Sequence, residues 1–236
     1  MKHPFRFSIL PYVTMGAGGL GLALRIWLFS ATDQKGLLPA SHAADTLLYI
    51  ISALTLGILF LATRNPQNTP SEKALLRKIR MPVGVLAGVC LLFSAWMFLT
   101  GIHVSLAIAA CAACLVAGAI LIVTTFMKAP AFSFRVVFTA ALMIQTVAQC
   151  QIWGAEPQLQ VYFFPLMACV FSILAAYQST ALAVGQGKRT LFAFFNQSAL
   201  FFCCISLNSR LWPLYLGLGL WMVTQLIYCY PRKKEA

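Results

Sequence analysis

Apolar and polar positions alternate along this chain in long blocks. Eight apolar runs separated by short polar links cover residues 8–30, 44–63, 82–100, 103–127, 134–153, 161–184, 190–207 and 211–230. An α-helix needs about 20 apolar residues to cross roughly 30 Å of hydrocarbon. The pattern therefore predicts an all-α fold, a polytopic membrane bundle of about eight transmembrane helices. We expect residues 1–236 to form a single transmembrane domain.

The composition excludes a water-soluble domain. Hydrophobic residues make up 61% of the chain and charged residues 9%, whereas soluble domains carry about 25% charge. The net charge of +12 would fit a nucleic-acid-binding protein. Here the positive residues lie in short links between apolar runs. We therefore expect contacts with the bilayer and with anionic lipids of the inner leaflet, and none with nucleic acid.

The distribution of positive charge predicts the topology. If the N-terminus lies inside, fourteen of the 17 Lys and Arg residues fall on the inner side. Lys35 and Arg210 lie outside, and Arg25 lies within the first span. This distribution follows the positive-inside rule. It predicts an even number of spans, both termini in the cytoplasm and a location in the plasma (cytoplasmic) membrane.

The link 64–81 is longer than the others and rich in Lys and Arg. Its apolar residues share one side of a short predicted helix. This pattern is typical of a basic amphipathic segment that lies on the inner leaflet. A docking site for a cytoplasmic protein is the alternative interpretation.

Arg25 is the first candidate for function, because intramembrane ionisable residues often mark functional sites. It lies roughly 8 Å below the outer interface of its predicted helix. Asp45 begins the next predicted helix, and His42 lies three residues before it. One interpretation is a structural Arg25–Asp45 ion pair, with the arginine stem extending toward the interface. The other is a site for an anionic solute that uses all three residues.

The histidines also raise the question of a metal or a proton pathway. Asp33, His42, Asp45 and His103 are all predicted near the outer ends of helices. Such a group could bind a divalent metal or transfer protons. Histidines at separate helix ends are more often ordinary interfacial residues. We therefore expect no metal site.

Gln145 and Gln149 lie one turn apart on the fifth predicted helix and so share a face. Amides at that depth need hydrogen-bond partners. They either bond to a neighbouring helix or line a polar cavity with Gln178, Asn196, Gln197 and Gln225. The solute-binding hypothesis expects a polar cavity that holds Arg25 and at least one of Gln145 and Gln149.

Cys111 and Cys114 form a C-x-x-C pair, the spacing used by thiol redox proteins. They lie inside an apolar run rich in alanine, where cysteine can also act as a small packing residue. All eight cysteines lie in or beside apolar runs, so a secreted disulfide framework is not expected.

Residues 16–21 match G-x-G-x-x-G but lie inside an apolar run, without the strand that a nucleotide site requires. These glycines indicate close helix packing or a break in the helix. The sequence contains no H-E-x-x-H, Walker or G-x-S-x-G motif, and only five acidic residues. We therefore expect neither catalytic residues nor a cofactor.

Three functions follow, in decreasing order of support from the sequence. The first is a permease-like or transporter-associated protein that handles a small solute. The second is a non-catalytic subunit or scaffold that assembles with a membrane protein partner. The third is a thiol/quinone membrane oxidoreductase that uses Cys111 and Cys114.

Overall fold

The structure is a computed structural model that describes residues 10–31, 43–64, 74–101, 105–127, 131–153 and 160–228. Within these residues every regular element is an α-helix, and there is no strand. The helices are α1 (Leu10–Ser30), α2 (Ala43–Arg64), α3 (Ala74–Gly101), α4 (Ser105–Phe126), α5 (Phe132–Trp153), α6 (Gln160–Ala183), α7 (Arg189–Ser206) and α8 (Trp212–Tyr228). The predicted all-α bundle of eight helices is confirmed.

Helices α1 to α6 each contain a segment that is long and apolar enough to cross a membrane. Helices α7 and α8 are shorter, with 18 and 17 residues. Helix α7 also carries the consecutive polar residues Asn196, Gln197 and Ser198, all with 0% exposure. Other helices, and not lipid, surround these polar side chains, and their amide and hydroxyl atoms have no hydrogen-bond partner among the described residues.

Six helices form a closed ring. Each of α3 to α7 packs against the next helix along the chain, and α8 returns to α3. Helices α1 and α2 pair with each other outside this ring and cover α7. Helix α7, with its run of polar side chains, is therefore enclosed by α1, α2, α6 and α8, which separate it from lipid.

Consecutive helices run in opposite directions. Gly84 near the start of α3 meets Thr125 near the end of α4, and Arg135 near the start of α5 bonds to Ser179 near the end of α6. We call the end of the bundle at which α1 begins the base, and the end at which α1 finishes the top.

The outer surface is apolar. Large hydrophobic side chains are exposed on every described helix from α1 to α6, for example Leu61 at 67%, Ile108 at 66% and Leu20 at 64%. An apolar surface of this extent is typical of a protein that contacts a membrane. The exposed residues and the six apolar spans together support a bundle that spans a bilayer.

Glycines allow several helices to approach closely. A Cβ atom on Gly88 of α3 would lie 2.9 Å from the carbonyl oxygen of Gly118 in α4. Gly18 and Gly21 of α1 pack in the same way against α7. Helix α1 is continuous, so the glycine-rich segment serves close packing and does not break the helix.

Part of the predicted basic link 64–81 is continuous with helix α3 and precedes its apolar span Met81–Thr100. Helix α3 begins at Ala74, so residues 74–80 form its first two turns. Residues 65–73 lie outside the described part of the chain. The predicted attachment of this link to the inner leaflet stays a prediction.

We predict that Gly88→Ala will lower the free energy of unfolding by about 1–3 kcal/mol, because its Cβ would meet a backbone oxygen that cannot move aside. SDS titration of the purified protein in mixed micelles measures the change. Gly57→Ala is the matched control, since Gly57 lies in α2 and nothing lies within 4 Å of the position that its Cβ would take. Equal stability of the two variants would contradict the close α3–α4 contact.

Candidate functional site

Arg25 is buried inside the protein near the top of the bundle, with 2% of its surface exposed. Its Nη2 donates a hydrogen bond to the carbonyl oxygen of Val161 at 2.9 Å. Its Nη1 donates to the carbonyl oxygen of Ile205 at 3.2 Å. The guanidinium also lies over the ring of Phe29, 5.5 Å from its centroid. One side chain of α1 thus joins α6 and α7.

Both acceptor carbonyls lack a partner within their own helix. In α6 the carbonyl of Val161 would accept from the residue four positions later, which is Pro165 and has no N–H. Ile205 lies in the last turn of α7, where carbonyls have no intrahelical donor. A cation at a helix C-terminus is also favourable electrostatically. Arg25 therefore completes the hydrogen bonding of two neighbouring helices.

Asp45 lies in the first turn of α2 and is partly buried. Tyr49, one turn further along, packs its ring against Phe163 and Phe164 of α6. Among the described residues, the guanidinium of Arg25 is bonded to backbone carbonyls rather than to the carboxylate of Asp45. The burial of Arg25 also shows that its side-chain stem does not extend to the outer surface.

His42, Asp33 and His103 lie outside the described residues. Their predicted roles in solute binding, metal binding or proton transfer stay predictions. Within the described part of the chain, no group of three or more His, Cys, Asp or Glu residues is placed to hold a metal ion.

Gln145 and Gln149 of α5 face the interior of the ring, each with 1% exposure. The Sγ of Cys169 in α6 donates to Oε1 of Gln149 at 3.4 Å. Tyr215 of α8 is completely buried and lies close to Cys169, Gln149 and Arg25. We call Gln145, Gln149, Cys169 and Tyr215 the interior polar cluster. It brings Arg25 and the two predicted glutamines into one region of the bundle.

Several atoms of this cluster lack a well-aligned hydrogen-bond partner among the described residues. They are both amide atoms of Gln145, Nε2 of Gln149 and the hydroxyl of Tyr215. An unsatisfied buried polar group costs about 1–3 kcal/mol. Buried sites of this kind are normally occupied by water or by a polar ligand.

A cavity of about 60 Å³ lies at the base of the ring. We call it the base cleft. It is lined by Gly84, Ile120, Leu121, Thr124, Thr125, Phe134, Arg135, Phe138, Ala176, Ser179, Trp221, Thr224 and Gln225. The solute-binding hypothesis expected a cavity around Arg25 and a glutamine of α5, whereas this cavity surrounds Arg135.

An aromatic pair lies between the base cleft and the interior polar cluster. Phe138 of α5 and Trp221 of α8 have ring centroids 4.5 Å apart and both line the cleft. Gln145 follows Phe138 by two helical turns, which places it roughly 10 Å higher along α5. The cleft and the cluster therefore lie at different heights within the same ring of helices.

Cys111 and Cys114 are free, buried thiols in α4. Cys114 lies close to Cys169 of the interior polar cluster. The structure contains no disulfide between Cys111 and Cys114, and their redox role stays a prediction.

Sequence reasoning missed several residues of these sites, among them Pro165, Tyr215 and Arg135. Pro165 was recognisable as a proline inside an apolar run, whose missing N–H leaves the carbonyl of Val161 available. Tyr215 and Arg135 carried no comparable signal. Both lie near the ends of apolar runs, where tyrosine and arginine are common in membrane proteins.

Comparison of the chain with models of protein families, with curated proteins and with solved structures returned no match.

We predict that the effects of Arg25→Met and Pro165→Ala on the free energy of unfolding are not additive. Arg25→Met should destabilise the protein less in a Pro165→Ala background, because the alanine N–H can donate to the carbonyl of Val161 in place of the guanidinium. The expected coupling energy is about 0.5–3 kcal/mol, measured by SDS titration of the four proteins of the cycle.

Arg64→Met is the matched control for this cycle, since Arg64 is exposed at the end of α2. Its effect should be the same in the wild-type and the Pro165→Ala backgrounds. Equal costs of Arg25→Met in the two backgrounds would show that Arg25 does not compensate for the proline.

Proposed function

We propose that this protein is a small permease-like membrane protein that passes a small polar solute through the ring formed by α3 to α8. The observation that carries this proposal is the interior polar cluster, in which several amide and hydroxyl atoms lack a well-aligned partner among the described residues. In a bilayer such groups require a polar occupant. A solute that exchanges its hydration shell for these groups would provide one.

Several features of the ring support this proposal. The base cleft would be one mouth, and the Phe138–Trp221 pair would exclude water from the region above it. Gln145, Gln149 and Tyr215 would then offer donors and acceptors in place of water. In this closed arrangement, passage requires the two aromatic rings to separate.

The top of the passage would be positively charged and rigid. Arg25 lies close to Tyr215, and its two bonds to helix backbones hold it in place. A fixed positive charge at this level favours solutes with an anionic group. Arg25 thus has a structural role that is compatible with the predicted role in solute binding.

A scaffold or non-catalytic subunit is the second candidate, and one observation favours it. Gly16 and Gly19 lie on the exposed face of α1, and nothing lies within 4 Å of the Cβ position of either residue. Exposed glycines one turn apart are typical of a face on which another membrane helix packs. In this alternative no solute passes through the interior of the ring.

A solute-entry assay in proteoliposomes distinguishes the two functions. We predict that glycerol, alanine or potassium acetate enters liposomes that contain the protein faster than empty liposomes, as measured by light scattering after an osmotic step. Gln145→Leu or Gln149→Leu should slow entry of that solute by about tenfold, because each removes hydrogen bonds from the passage.

Gln151→Leu is the matched control, since Gln151 lies on the same helix with its side chain exposed. It should leave the rate unchanged. Entry no faster than into empty liposomes for all three solutes, or equal rates for Gln145→Leu and Gln151→Leu, would contradict the permease function.

A further inference from the structure

The interior polar cluster is centred on the thiol of Cys169. Its Sγ donates to Oε1 of Gln149 at 3.4 Å, and Gln145 and Tyr215 also lie close enough to interact with it. Cys169 belongs to α6, the two glutamines belong to α5, and Tyr215 belongs to α8. All four side chains have 1% exposure or less. Three helices of the ring therefore direct polar groups to one buried point.

The thiol determines which atom of Gln149 is left for a ligand. Because Oε1 of Gln149 accepts from Cys169, the amide atom without a well-aligned partner among the described residues is the donor Nε2. The hydroxyl of Tyr215 also lacks such a partner and can donate. Both amide atoms of Gln145 lack one, so its Nε2 can donate as well. The cluster thus offers N–H and O–H donors from three side chains.

The electrostatic surroundings of these donors favour negative charge. Asp45 is the one acidic residue in the described part of the chain, and it lies in α2, outside the ring. Arg25 lies close to Tyr215, and its two hydrogen bonds are made to neutral backbone carbonyls. A buried charge is costly unless an opposite charge lies near it. A cation in the cluster would add to this cost, whereas an anion would reduce it.

The arrangement of the donors also limits the size and the charge of a ligand. Residues four positions apart on a helix have Cβ atoms about 5–6 Å apart. One small ion can therefore contact the amide groups of both Gln145 and Gln149. Arg25 supplies one positive charge near the cluster, which matches a single negative charge on the ligand.

We propose that the interior polar cluster binds a small monovalent anion, with Nε2 of Gln149 and the hydroxyl of Tyr215 as its main donors and Cys169 as the residue that positions Gln149. A halide ion and a small carboxylate offer the same chemistry. As a step of transport this inference rests on the proposed permease function and names its substrate class. Anion binding itself does not depend on passage.

Binding of radiolabelled solutes to the purified full chain tests the proposal directly. In a scintillation proximity assay the protein in detergent is titrated with labelled chloride, with labelled acetate, with labelled sodium and with labelled glycerol. We expect saturable binding of chloride or acetate. We expect no saturable binding of sodium or glycerol, because the first has the wrong charge and the second gains nothing from the positive potential.

Two variants remove a donor from the cluster. Gln149→Leu and Tyr215→Phe should each weaken anion binding by about tenfold, because each removes a hydrogen bond to a charged ligand. Gln151→Leu and Tyr177→Phe are the matched controls, since both side chains are exposed, and they should bind like the wild type. Tyr215→Phe keeps the buried ring, so it tests the site even if Gln149→Leu lowers the stability of the protein.

Two substitutions of Cys169 test its positioning role. Cys169→Ser keeps a donor to Oε1 of Gln149 and should bind the anion like the wild type. Cys169→Ala removes that donor, so the amide group of Gln149 can rotate and present Oε1 to the ligand. Anion binding should then be weaker than in Cys169→Ser. Equal binding by the two variants would contradict the positioning role.

The outcomes identify the anion and decide the proposal. Saturable binding of chloride alone indicates a halide, and saturable binding of acetate alone indicates a carboxylate. No saturable binding of either anion to the wild type would overturn the proposal without reference to a variant. Binding of sodium or glycerol as tight as that of the anions would also overturn it, as would equal losses in Gln149→Leu and Gln151→Leu.

Failure of this site is distinguishable from failure of the permease function. The binding assay requires no passage of solute, whereas the liposome assay measures entry. Anion binding without entry of any solute would retain the site and reject the permease. Entry of glycerol or alanine into liposomes that contain a protein unable to bind anions would retain the permease and reject the anion site.

Discussion

The hydrogen bond from Arg25 to the carbonyl of Val161 is the interaction on which the top of this bundle depends. No water is available in the bilayer core, so each backbone polar group must find its partner within the protein. Pro165 removes the donor that Val161 would have used, and the end of α7 leaves the carbonyl of Ile205 without one. A guanidinium with several donors can serve both carbonyls from a third helix. Three helices are thereby joined at one point.

The same requirement explains why α1 and α2 lie outside the ring. Helix α7 contains amide and hydroxyl side chains that would be costly to expose to lipid. The α1–α2 pair covers it, and Gly18 and Gly21 let α1 approach closely enough to leave little space between the two helices. The bundle thus has an apolar exterior, and polar side chains lie among the apolar residues of its interior. Among the described residues, hydrogen bonding remains incomplete in the interior polar cluster and also at Asn196, Gln197 and Ser198 of α7.

The two buried or partly buried arginines at opposite ends of the bundle differ in their surroundings. Arg25 is bonded to helix backbones and closes the top of the structure. Arg135 is bonded to Ser179 in the wall of the base cleft.

The sequence by itself determined the all-α class, the eight helices and the apolar surface, because each follows from the free energy of placing one segment in hydrocarbon. It also marked Arg25, Gln145 and Gln149 as side chains that need partners. Only the tertiary structure decided what those partners are. Val161 and Ile205 lie 136 and 180 residues from Arg25 along the chain, whereas sequence proximity had suggested Asp45. Hydropathy does not show which helices are neighbours, because lipid is equally apolar on every side of a helix. Packing between segments that are distant in the sequence sets the arrangement instead.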